Sequence, residues 1–62
     1  MVVEACGYIL EVEQDSVRLL IGPLEVGRAL LLEGRLVQRE GGLTRPKVAL
    51  AVAFELGVRV DL

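Results

Sequence analysis

Nothing in this chain can staple it to itself. It has 62 residues, one cysteine (Cys6) and no histidine. A lone thiol forms no internal disulfide, and a zinc or iron site would have to be assembled from carboxylates and that one sulfur. A polypeptide this short buries only about 60% of the surface its unfolded form exposes, so what remains to stabilise it is a well-packed core or a partner subunit. The expectation is one domain over 1–62, without a cofactor.

Composition points to the partner. When glycine is counted and tyrosine is not, 39 of the 62 residues are apolar, well above the roughly 45–50% of ordinary soluble domains. Charge-free runs such as 19–24 and 48–54 fall far short of the roughly 18 apolar residues a membrane span needs. The opening Met1-Val2-Val3-Glu4 lacks the basic segment of a secretory leader. The sequence is therefore expected to be cytoplasmic and away from membranes, with its surplus apolar surface meeting another protein chain, most simply a second copy. Six arginines against one lysine, 12 leucines and no asparagine hint at a thermophilic source.

The clearest local pattern is a β-hairpin. Residues 2–13 and 16–21 are rich in Val, Ile, Leu and Tyr, and Gln14-Asp15 forms a polar two-residue turn between them, though without the glycine such turns favour. Opposing Glu13 with Ser16 places Val12 against Val17, Leu10 against Leu19 and Tyr8 against Ile21 on one side. The other side pairs Glu11 with Arg18 and Ile9 with Leu20. A one-residue slip would exchange the faces and split the charge pair.

Gly22-Pro23 ends the second strand. Beyond it, Leu24, Val26, Leu30, Leu32 and Leu36 keep a period of two, whereas Pro23 and Gly34 would frame a three-turn helix. Gly27 inside that helix would cost about 1 kcal/mol relative to alanine, so extended structure is preferred, most securely over 35–39. In the last third, Val48, Leu50, Val52, Phe54, Leu56, Val58, Val60 and Leu62 alternate without a break, as a long strand would. Helical punctuation opposes this. Thr44 is placed as N-cap, Pro46 in the first turn and Gly57 as a left-handed C-cap, around three alanines of high helix propensity. A helix over 45–56 and a closing strand over 58–62 are expected. Pro23, Gly34 and Val37 recur 23 residues later as Pro46, Gly57 and Val60, too sparse an echo to read as a duplication. The fold class expected is α+β: a small antiparallel hairpin sheet, one helix and a short C-terminal strand. An all-β small barrel is the alternative.

Catalytic equipment is thin. There is no histidine, and the one serine, Ser16, has no neighbouring base to activate it. Cys6 lies among apolar residues, where the thiolate is disfavoured, and reads as a small buried hydrophobe. Glu11, Glu13 and Asp15 match no ion-binding loop and read as a solvated acidic edge that discourages aggregation. Gly41-Gly42 before a helix suggests an anion cradle, but it fits neither phosphate-loop pattern, and a tight connection is the simpler account. No enzyme is expected.

Charge is the most informative functional feature. Residues 1–33 hold six acids and two bases, while residues 34–62 hold three acids and five bases. Arg35, Arg39, Thr44, Arg45 and Lys47 form the candidate anion or nucleic-acid contact. A net charge of −2 with one Tyr and one Phe argues against nucleic acid. The function expected is a non-enzymatic assembly or adaptor module acting through homo-oligomerisation, with opposite charges of neighbouring subunits facing one another. A nucleic-acid-binding regulator using residues 35–47 is the alternative.

Overall fold

The apolar-polar alternation on either side of Gln14-Asp15 becomes the second and third strands of a six-stranded sheet. The computed structural model describes residues 1–5 and 7–61; the expected burial of Cys6 and the strand position of Leu62 lie outside them. In chain order the elements are β1 (Val2–Ala5), β2 (Tyr8–Val12), β3 (Ser16–Ile21), β4 (Leu24–Leu32), β5 (Arg35–Gly41), a 3-10 turn (Gly42–Thr44), α1 (Pro46–Leu56) and β6 (Arg59–Val60). The spatial order of the strands is also β1 to β6. Neighbours are antiparallel except β5 and β6, which run parallel with Leu36 beside Val60. The molecule is a small α+β domain with a curled mixed sheet and one helix.

The hairpin register follows the sequence reading. Ile9 faces Leu20, Leu10 faces Leu19, Glu11 faces Arg18 and Val12 faces Val17, and the Glu13 amide donates to the Ser16 carbonyl at 2.9 Å. Neither Gln14 nor Asp15 has a positive φ, so the connection is not one of the primed turns. The Leu31 amide, which donates to the Asp15 carbonyl at 2.8 Å, holds it instead. One expectation fails here: residues 2–13 are two strands, not one. Gly7, at φ 80, lets the chain reverse, and β1 returns along β2 with Val3 beside Leu10.

Residues 24–32 and 35–41 are extended, and the helical option is overturned. Pro23 and Gly34 belong to turns. Gly22 at φ 58 precedes Pro23 between the paired Ile21 and Leu24. Glu33 and Gly34, at φ 53 and 74, join Leu32 to Arg35, both central residues positive as a type I′ hairpin requires. Two irregularities bend these strands. Val26 has no partner between the Leu19–Gly27 and Leu20–Glu25 pairs. Gln38 and Arg39 together oppose Ala29, with Gln38 at φ 50. Such bulges add twist and curl a sheet.

The curl encloses one core. Leu10, Val17, Leu19, Ala29 and Leu36 come from the inner sheet face, Leu43 from the 3-10 turn, and Val52 and Ala53 from α1. The helix touches both edge strands, β1 and β6. Its ends match the expected punctuation with one correction: the N-cap is Arg45, with no side-chain cap bond. Thr44 turns away, its hydroxyl donating to the Gly41 carbonyl at 2.7 Å. Pro46 occupies the first turn and Gly57 is left-handed at φ 69, ψ 31. The Val58 amide donates to the Ala53 carbonyl at 2.9 Å, closing a Schellman motif. This cap overrules the two-residue alternation of 48–62, and the closing strand shortens to Arg59–Val60. Gly34 in a hairpin turn and Gly57 on a helix end share a sequence spacing but no structural role.

Candidate functional site

The basic cluster expected over 35–47 is divided by the fold. Arg35 pairs with Asp61 at 3.3 Å. Arg39 donates to the Leu43 carbonyl and to the Asp61 carbonyl, each at 3.2 Å, and so ties the 3-10 turn to the chain after β6. Thr44 is occupied by the Gly41 carbonyl. Arg45 borders a groove together with Thr44, Gly41, Gly42, Tyr8, Ile21 and Val26, while Lys47 lines a different recess beside Ala5 and Val48. Thr44 and Arg45 thus share one groove, which Arg35, Arg39 and Lys47 do not line. Two of the arginines hold backbone or carboxylate oxygens of the chain itself.

Gly41 and Gly42 are absorbed by packing. Gly41 pairs with Gly27 across β4 and β5. A Cβ on Gly41 would lie 2.6 Å from the Val26 carbonyl oxygen, and one on Gly27 would lie 2.9 Å from the Leu43 amide nitrogen. Backbone meets backbone there on the β4 side, and on their other side Gly41 and Gly42 border the groove that Thr44 and Arg45 line. The tight-connection account of this double glycine is the one the geometry supports.

Among the described residues, Glu11, Glu25 and Asp61 pair with arginines. On the outer sheet face, Glu11, Arg18, Arg28 and Glu40 stand opposite one another across β2 to β5. Two arginines side by side would repel, and Glu25 lies between them. Its carboxylate accepts from Arg28 at 2.8 and 3.1 Å and lies 3.5 Å from Arg18; Arg18 also bonds Glu11. The Arg28 hydrogen bond holds the Glu25 carboxyl below its ordinary range, against a smaller upward push from lost hydration. The hydrogen bond to Glu11 raises Arg18, and that to Glu25 raises Arg28. Among the described residues no three metal-ligating side chains converge, so Glu11, Glu13 and Asp15 do not meet as a cation site.

The feature that sequence reasoning missed lies at the other end. Between α1 and β6 runs an open groove of about 720 Å³, walled by Leu50, Ala53, Phe54, Val58 and Val60. Phe54 is 87% exposed and Leu50 51%. A signal was present in the helical spacing. Ala49, Val52, Ala53 and Leu56 sit at i, i+3, i+4 and i+7 and face the core, which leaves Leu50 and Phe54, four apart, as a second apolar stripe pointing outward. Glu55 and Arg59 also line the groove, and among the described residues neither forms an ion pair. No helix of the described residues is long and apolar enough to cross a membrane. Comparison with family models, curated proteins and solved structures finds no match to this chain.

Proposed function

We propose that this chain acts as a non-enzymatic assembly module that works by associating with copies of itself. The observation that carries this reading is the outward stripe of α1: an aromatic ring 87% exposed beside an apolar groove, on a small domain whose single cysteine allows no internal disulfide. Burying such a ring removes on the order of 150–250 Å² from water, which a small core gains most from sharing.

Sedimentation velocity from about 1 to 200 μM tests it, a range that brackets the micromolar affinities of modest interfaces. A weight-average mass rising above the 6.7 kDa protomer with concentration is expected. A single 6.7 kDa species throughout would overturn the proposal.

A further inference from the structure

The groove beside α1 has a property that selects its occupant. A two-fold interface uses one patch on both molecules, so that patch must carry both halves of every complementary pair. Here it does. Phe54 projects next to the recess walled by Leu50, Val58 and Val60, placing a knob and its socket on one surface. Glu55 on the last turn of α1 and Arg59 on β6 line the same groove, one acid and one base without ion-pair partners among the described residues. Asp61, the other acid there, is already paired with Arg35. The patch's unpaired charges therefore balance, as self-recognition requires; a groove for a strongly acidic or basic partner would carry an excess of one sign.

We infer that the α1–β6 face is a two-fold dimer interface between copies of this chain, with Phe54 of each protomer seated in the partner's groove and Glu55 of each paired with Arg59 of the other. This rests on the self-association proposed above and adds the surface and the symmetry. A standard interface covers about 800 Å² on each partner, roughly a fifth of the 4208 Å² surface of this domain.

The test measures the dimer dissociation constant by sedimentation equilibrium for the full chain, with circular dichroism confirming the fold of each variant. Phe54→Glu is expected to weaken association by about 100-fold or more, as for a central aromatic anchor. Glu55→Arg or Arg59→Glu alone places like charges together and weakens it about 10-fold. The double reversal returns it to within about 3-fold of wild type. The charge swap reads the interface without altering Phe54. A wild-type chain that stays monomeric overturns this inference and the self-association reading together. A dimer indifferent to Phe54→Glu, or a double reversal no better than the single ones, overturns the two-fold arrangement and leaves self-association standing.

Discussion

The two ends of this domain solve the problem of a small core in opposite ways. At the crossing of β4 and the 3-10 turn, Gly27, Gly41 and Gly42 bring backbone against backbone with no room for a Cβ, and Leu43 is sealed at 0% exposure beneath them. At the α1–β6 end, the larger side chains Leu50 and Phe54 face outward across an unfilled groove. At the glycines the chain's own backbone fills the contact, whereas beside Leu50 and Phe54 nothing of the described chain does.

The sharpest way to break this comparison is to put a methyl group at the closed end. Gly41 has φ 62 and ψ −134, a region essentially confined to glycine, and its Cβ would meet the Val26 carbonyl. Gly41→Ala should therefore lose about 2–4 kcal/mol in urea unfolding. Gly57→Ala, whose Cβ meets nothing within 4 Å, should lose only about 1 kcal/mol through its left-handed φ. Equal losses would mean that backbone approach is not what distinguishes the closed end.

The bulge leading into that end gives a smaller effect of opposite sign. Gln38 is exposed and held at φ 50, where an L side chain is strained. Gln38→Gly should gain about 0.5 kcal/mol in the same assay, the relief exceeding the added freedom of the unfolded chain. A loss would show that the glutamine side chain contributes to the bend. The smallest change concerns pH. Because the folded-state pKa of Glu25 is lowered from its ordinary 4.5, its contribution to stability is fully present above that value and is lost as pH falls through the folded pKa. Thermal melts of wild type against Glu25→Gln should show a gap that closes on acidification below 4.5. It should also narrow with added salt, since these groups are solvent-accessible. A gap constant with pH would detach Glu25 from the arginine ladder.

Much of the local architecture was legible without coordinates. Glu11 opposite Arg18 and the paired leucines set the β2–β3 register, because only one register satisfies both faces at once. Pro46 and Gly57 bounded the helix through constraints on single dihedral angles. Thr44 misled because its hydroxyl found the Gly41 carbonyl, a competing local acceptor, before it could cap α1. The break at Gly7 was hidden inside an apolar run, where an unmarked glycine looks like part of a strand. The partners of the arginines were hidden for another reason: charge adjacency in sequence says nothing of partners, and Asp61, which holds Arg35, stands 26 positions away.

The amino-acid order by itself determined the β2–β3 register and the Pro46 and Gly57 bounds of the helix, since each depends on residues close together in the chain. Tertiary structure alone decided that Gly41-Gly42 packs against β4, that Arg39 braces the 3-10 turn, and which side of α1 stays open. These outcomes depend on which distant segments the curl of the sheet brings into contact. They follow from long-range packing, which a two-residue or seven-residue period does not encode.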